Sequence, residues 1–328
     1  MLEALESGPA AAVGLAWGGA VLGPLLVLLL WRALSARTRR SRGVRIVLAL
    51  FALAYGLCVW TFLVEPRLIT TRRVTVASAT WQGEPLRIGV LSDTHVGAHV
   101  TPERVRRTVA RLNRERPDVI VFLGDYAGGH EPRESRDAPQ RSAVLRGAAA
   151  LGSARAPLGS FAVLGNHDWW YDGPALEAEL RRSGLPVLEN AAVRVERPGG
   201  AFWIAGLADL ESRRQRPSVR QALSDVPAGD PVVLLTHWPD PFPAVPSRVA
   251  LTLAGHTHCG QVNLPVFGRL VHASRGARRW GCGLYDEGGR KLFVTSGLGV
   301  SILPVRFRAP PEVAIVTLIR LAPDHRVP

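Results

Sequence analysis

Cysteine is scarce, three residues in 328, which excludes a scaffold stapled by disulfides. No Cys-x-x-Cys pair is present either, so a thiolate-rich structural zinc site is excluded as well. No segment repeats at a fixed period, which removes solenoids and propellers. Charge is missing from two places. Ser7–Trp31 holds no charged residue across 25 positions, and Ile46–Val64 holds none across 19. The start of the chain also lacks the basic region of a cleaved signal peptide. What is abundant is apolar, 47% of residues, too much for a mostly disordered chain.

The net charge of +13 divides unevenly. Residues 1–79 carry nine arginines against three glutamates, and residues 80–328 carry 31 basic against 24 acidic side chains. Nearly half the excess therefore sits in a quarter of the chain. Each uncharged run is long enough to cross a hydrocarbon core as a helix, which needs about 20 residues, and Trp31 and Trp60 stand near span ends, where indole rings favour the interface. The reading is a transmembrane hairpin over 1–64. Its connector, 32–45, holds Arg32, Arg37, Arg39, Arg40, Arg42 and Arg45 with no acid. Positive loops stay in the cytoplasm, so the chain is expected in the cell membrane with two spans and the portion beyond them extracytoplasmic. Arg67, Arg72 and Arg73 beyond the second span are the weaker, opposing signal. Residues 65–84 read as a linker with a short β-like patch, Val74-Thr75-Val76.

From 85 to 328 short apolar runs alternate with helical patterns, the signature of a layered α/β domain. Strands are expected at 86–91, 118–123, 160–164, 201–205, 231–236, 249–253, 291–295 and 312–318. A helix should start at Thr101-Pro102-Glu103, a capping residue followed by proline, with Val105, Val109 and Leu112 on its inner face. Further helices are expected near 141–151 and after Pro174, with 128–140 an exposed loop.

The polar residues of interest follow these strands, where open α/β folds place ligands: Asp93-Thr94-His95, Gly124-Asp125, Gly165-Asn166-His167-Asp168, His237, and Gly255-His256-Thr257-His258. One histidine is ordinarily a satisfied core or surface residue. Five of nine, clustered in order with Asp and Asn, are what a divalent-ion site requires. Imidazole suits Zn, Fe, Mn or Ni, and oxygen ligands suit Mn or Mg. In Asp93-x-His95 and His256-x-His258, alternate residues can reach the same side.

That ordered set resembles the calcineurin-like metallophosphoesterase superfamily over about residues 86–320, and within it the bacterial membrane-associated phosphodiesterase branch. Thr295–Gly299 and Pro310-Pro311-Glu312 add weaker support. The resemblance implies a β-sandwich flanked by helices and two divalent ions (Mn, Fe, Zn or similar). Asp93, His95 and His258 would hold one ion, Asn166, His237 and His256 the other, and Asp125 both. Water acidified by two ions roughly 3.5–4 Å apart would attack phosphorus in line, with His167 as general acid. Protein Ser/Thr phosphatases of this superfamily continue the second motif as Gly-Asp-x-x-Asp-Arg, whereas this chain has Gly128 and Gly129. The missing acid and arginine argue against a protein phosphatase and leave Asp168 as the candidate to orient His167.

Other residues keep open readings. Cys259 is a small residue by preference, with a reactive thiol or a disulfide to Cys282 as alternatives. Trp169, Trp170 and Tyr171 form either a substrate lip or a packed loop. Arg306 and Arg308 hold a second phosphate or lie in solvent. The expected partners are the lipid bilayer and an anionic, lipid-linked or nucleotide-sugar phosphoester, with no nucleic acid. A hydrolase of the UDP-2,3-diacylglucosamine type would instead need a cytoplasmic site, and a non-catalytic metal-binding membrane scaffold is the remaining alternative.

Overall fold

The computed structural model describes residues 41–97 and 99–321, with 22–25, 27–29, 31, 32 and 38 before them. Most of the first expected span, and half of the Arg-rich connector, lie outside the described residues. The second is a continuous helix. Helix α1 (Arg42–Val59) passes into a π-turn, Trp60–Val64, and a 3₁₀ turn, Glu65–Arg67. Over Arg42–Arg67 it is the one described helix long and apolar enough to cross a membrane, with mean hydropathy 2.3. Two spans are therefore not established. The described part of the first run does lie against it, since a Cβ on Gly23 would fall 2.5 Å from the Tyr55 ring.

Thirteen strands follow. They are β1 (Thr70–Ser78), β2 (Leu86–Leu91), β3 (Val119–Phe122), β4 (Ser160–Ala162), β5 (Ala191–Val195) and β6 (Phe202–Gly206). Next come β7 (Val232–Leu235), β8 (Leu251–Ala254), β9 (Asn263–Leu264), β10 (Gly268–Arg269), β11 (Gly283–Glu287), β12 (Arg290–Val294) and β13 (Glu312–Arg320). They form a five-stranded sheet, β1-β13-β2-β3-β4, a six-stranded sheet, β11-β12-β8-β7-β6-β5, and the small β9–β10 hairpin. The two large sheets meet face to face through Ile88, Val90 and Val121 on one side and Ile204, Val233, Leu253 and Phe293 on the other. This is the expected mixed α/β sandwich. The central strands Val-Ile-Val-Phe and Val-Val-Leu-Leu are buried at every position, as parallel strands covered on both faces must be.

Helix α2 (Pro102–Arg114) and helix α3 (Ala138–Leu151) cover the outer face of the first sheet. Thr101 caps α2 by accepting from the Arg104 N–H, and Val105, Val109 and Leu112 are buried. Asp137 and Gln140 close a capping box on α3, so that helix begins three residues earlier than expected and consumes the end of the supposed loop 128–140. Helix α4 (Asn166–Tyr171), helix α5 (Gly173–Arg182), helix α6 (Val219–Ala222) and helix α7 (Arg275–Arg279) complete the fold. The expected linker 65–84 is corrected: β1 occupies nine of its residues as an edge strand parallel to β13.

Candidate metal centre

Strands β2, β3 and β4 of one sheet and β7 and β8 of the other end at the same edge of the sandwich, and all five motifs sit on the loops that follow them. The local backbone is unusual. Asp93, His95, Asp125, His256 and His258 all have positive φ, between 44° and 66°. Such residues cost of order 1–3 kcal/mol each and persist only where the surroundings over-determine them. Asp93 and His95 thus face one site through left-handed turns, not through strand alternation. Backbone bonds hold the turns: His95 N donates to Asp125 O, Asp93 N to Gly124 O, and Gly299 N to Asp93 O. Gly124 makes the approach possible. At φ +91°, a Cβ there would lie 2.5 Å from the Gly165 nitrogen.

The side chains converge. His95 Nε2 and His258 Nε2 are 3.0 Å apart, and Asp93 Oδ1 lies 3.5 Å from the latter. Asp125 Oδ2 is 3.3 Å from His237 Nε2 and 3.5 Å from His95 Nε2. His237 Nε2 is also 3.1 Å from Asn166 Oδ1 and 3.2 Å from His256 Nδ1. Three groups of potential ligand atoms result: Asp93, His95 and His258; His95, Asp125 and His167; and Asp125, His237 and His256. Asp125 is shared by the last two. All seven expected ligands are buried and come together.

This donor set fits a metal. Two nitrogens facing each other at 3.0 Å can be satisfied by at most one proton between neutral rings. His237 Nε2 and His256 Nδ1 face each other in the same way at 3.2 Å. The electrostatics agree. Burial pushes the His95 imidazole down to about 3, and burial also holds His256 and His258 well below the usual histidine range. Burial raises the Asp93 carboxyl to about 6. Burial opposes charge on His237 too, but Asp125 outweighs it and raises that imidazole to about 10. The same pairing holds Asp125 well below the carboxylate range against its burial. Without a cation, a single His237–Asp125 ion pair organises a pocket of neutral rings.

Behind these groups lies a supporting shell. His237 Nδ1 donates to Leu123 O at 2.7 Å, which turns Nε2 inward. The His256 N–H donates to Asp93, and its ring stacks on Trp238 at 3.5 Å between centroids. Trp238 Nε1 in turn donates to Asp209, a buried acid raised by that burial to about 6. Neither Trp238 nor Asp209 stood out in the sequence, although each follows a strand of the second sheet as the ligands do.

Three expectations change. Asp168 does not orient His167. Its carboxylate accepts from the backbone N–H groups of Asp125, Tyr126, Ala127 and Gly165, so it fastens the loop after β3 to α4. His167 is oriented by the Gly129 carbonyl, 2.7 Å from Nδ1. A side chain at Gly128 would meet the His95 carbonyl at 2.6 Å, so the missing phosphatase acid has no room here. Arg306 is neither a phosphate clamp nor solvated. It is fully buried, donates to the carbonyls of Ser296, Gly299 and Ala309, and stands 3.3 Å from His258 Nδ1. Cys259, read as a small residue, is joined to Cys282 in a disulfide.

The aromatic run splits as well. Trp169 and Tyr171 are buried. Trp170 is half-buried and lies against His167 and His130, with centroids 4.6 and 5.3 Å away. His130 had no claim on sequence grounds, yet its ring is 5.0 Å from that of His167.

Comparison with known proteins agrees with the geometry. The family model for calcineurin-like phosphoesterases matches residues 86–260. An uncharacterised metallophosphoesterase of Bacillus subtilis, YkuE, is 30% identical over 77% of this chain and 87% of its own length. A Danio rerio protein described as a transmembrane protein with a metallophosphoesterase domain is 33% identical over 71% of this chain, which spans about half (53%) of that relative. The Escherichia coli phosphodiesterase YaeI is 27% identical over 72% of this chain and 83% of its own.

Proposed function

The chain belongs to the calcineurin-like phosphoesterases and is a metal-dependent phosphoester hydrolase; from that premise we propose that it is a membrane-anchored, dinuclear enzyme cleaving a phosphodiester or pyrophosphate in a lipid-linked head group. The observation that carries the dinuclear reading is the position of Asp125, whose carboxylate faces both ligand groups. Asp93, His95 and His258 would hold one ion, and Asn166, His237 and His256 the other, with Asp125 common to both. The imidazole-rich, oxygen-containing set suits Mn, Fe or Zn. When bound, a metal pair lowers the pKa of water and neutralises charge developing on phosphate.

The protein's own groups do the rest. His167 Nδ1–H donates to Gly129 O, so proton exchange with a leaving oxygen falls to Nε2, which points back toward Asp125 at 3.9 Å. Burial lowers the His167 pKa, and an anionic phosphoester beside it is what restores the proton needed for general-acid work. Trp170 and His130 form an aromatic lip beside that ring, suited to the apolar part of a head group.

Support for membrane attachment comes from the apolar helix and from relatives bearing the word transmembrane in their names. Two independent features favour an extracytoplasmic site: the acid-free Arg-rich connector, and the Cys259–Cys282 disulfide, a bond that persists in oxidising compartments. A cytoplasmic nucleotide-sugar hydrolase sits badly with both. The test is hydrolysis of bis(p-nitrophenyl) phosphate by the purified full chain with Mn²⁺. Turnover should vanish on chelation and return when metal is restored. Metal binding with no chelator-sensitive turnover of any phosphoester would leave only the scaffold reading.

A further inference from the structure

Two loops, one of them bonded to the end of the apolar helix, push large apolar side chains into solvent. On the β9–β10 hairpin, Val266 is fully exposed and Phe267 is 77% exposed, with Leu270 and Val271 beside them. On the loop between β12 and β13, Ile302 is 81% exposed and Leu303 follows it. They belong to one surface: Gln261 Nε2 donates to Ser301 O, Asn263 N donates to Phe307 O, and Val262 bridges Phe307. That surface continues into the span. The Arg306 N–H donates to Thr61 O at 3.0 Å, and Ala309 N donates to the buried Glu65 carboxylate at 2.8 Å.

The segments that form the patch are rich in arginine, with one of these, Arg279, paired to Glu287 just beyond them. Residues 259–285 contain Arg269, Arg275, Arg278 and Arg279 and no acid, and residues 299–311 contain Arg306 and Arg308 and no acid. Of these, Arg275, Arg278, Arg279 and Arg308 are exposed. An apolar tip flanked by exposed arginines is the chemistry of a segment that enters the headgroup region of an anionic leaflet.

We propose that the β9–β10 hairpin and the Ile302–Leu303 loop dip into the bilayer from which α1 emerges, seating the metal centre at the lipid surface so that the substrate is a phosphoester whose acyl chains stay in the membrane. The hairpin base leans directly on the metal-ligand loop. A Cβ on Gly260, two residues beyond His258, would lie 3.1 Å from Arg269 Cβ and 3.0 Å from Val271 O. The disulfide between Cys259 and Cys282 closes the same segment. This inference rests on the membrane-anchored reading above.

The test is spin-label depth measurement on the full chain reconstituted in phosphatidylglycerol-containing vesicles, in a Cys58→Ser background. Labels are placed singly through Val266→Cys, Phe267→Cys and Ile302→Cys. Leu53→Cys on α1 reports the span, and Pro198→Cys on the β5–β6 turn, at the far end of the sandwich, reports water. Labels at 266, 267 and 302 should be relaxed by oxygen more than by an aqueous nickel chelate, as at 53 and opposite to 198. Tip labels that behave like 198 while 53 remains lipid-exposed overturn the dipping surface and leave the anchor standing. Tip labels shielded from both relaxants would show a protein partner or second copy on the patch, which also overturns it. A water-exposed label at 53 would defeat the anchored reading itself, and this inference with it.

Discussion

Asp125 and His167 lie side by side but are predicted to fail differently. Asp125 is the carboxylate common to the ligand groups, and its Oδ1 also accepts the His167 N–H at 2.9 Å. Asp125→Ala should therefore abolish both metal content, measured by elemental analysis, and turnover. His167→Ala removes a ring that lies outside the seven expected ligands, although it packs edge-on against His95. It should retain both ions and lose about 10²–10⁴-fold in kcat on an alkyl leaving group, with far less effect on p-nitrophenolate, which leaves without a proton. Asp168 provides the contrast. Asp168→Ala strips four buried N–H groups of their acceptor and should lower thermal stability markedly, since each unsatisfied buried group costs about 1–3 kcal/mol. His167→Ala should not. A fourth expectation concerns pH. His237 is raised to about 10 by Asp125, so the metal-free site carries that proton throughout the neutral range, and a cation must displace it. Apparent metal affinity should therefore fall by about tenfold per unit as pH drops below the His237 pKa, steepening in acid where Asp93, raised to about 6, also takes a proton. Calorimetric titration in two buffers of different ionisation enthalpy reads the released proton directly. The convergence of the candidate ligand residues was legible in the sequence because each is a chemically distinctive residue placed after an apolar run. Gly129 and Arg306 were not: one acts through its backbone carbonyl, and the other looks like any surface arginine until the loops fold over it.

Among the elements, the buried strands showed themselves and three of the four outer edges of the large sheets did not. β3 and β7 are continuous apolar runs and β2 and β8 are interrupted only by Arg87, Gly89 and Thr252, and each was expected within a residue or two of where it lies. β5 reads Ala-Ala-Val-Arg-Val, β11 reads Gly-Leu-Tyr-Asp-Glu, and β1 opens Thr-Thr-Arg-Arg. All three are sheet edges, half in solvent, where polar and charged residues guard against further pairing and erase the periodic signal. Helix α4 was hidden for another reason. Its six residues are Asn-His-Asp-Trp-Trp-Tyr, chosen for the site and for packing rather than for helix propensity. The disulfide belongs at this scale as well. It ties the turn after His258 to the start of β11 across 23 residues, which in the loop-entropy account stabilises by roughly 3 kcal/mol. Cys282→Ser should lower the midpoint of chemical denaturation accordingly. It should also weaken metal retention, because the freed Cys259 sits at φ 53° immediately beside a ligand. Unchanged stability in the variant would mean that the bond constrains nothing the fold does not already hold.

For the whole molecule, the consequential feature is that the apolar helix is not tethered loosely. Its final turns are built into the catalytic domain: Trp60 Nε1 and Ala309 N both donate to Glu65, Arg104 donates to Pro66 O, and Thr61 O accepts from Arg306. The helix end and the domain that carries the candidate metal site are therefore fixed relative to each other, so that on the anchored reading proposed above both lie on one side of the bilayer. Six arginines precede or open that helix and none of its first-turn residues is acidic, so on the proposed anchored reading the loop-charge rule predicts a cytoplasmic start. A fusion of alkaline phosphatase after Pro328, expressed in a bacterium with an oxidising periplasm, should be active, and a fluorescent protein fused there through the same export route should be dark. The Cys259–Cys282 bond should then resist alkylation in intact cells until a reductant is added. Replacing Arg37, Arg39, Arg40 and Arg42 together by Ser should erode or invert both readouts, because the remaining Arg67, Arg72 and Arg73 would then outnumber the connector. Active fluorescence with a silent phosphatase in the unaltered chain would put the site in the cytoplasm, where the disulfide would be reduced and nucleotide-linked lipids become reachable substrates.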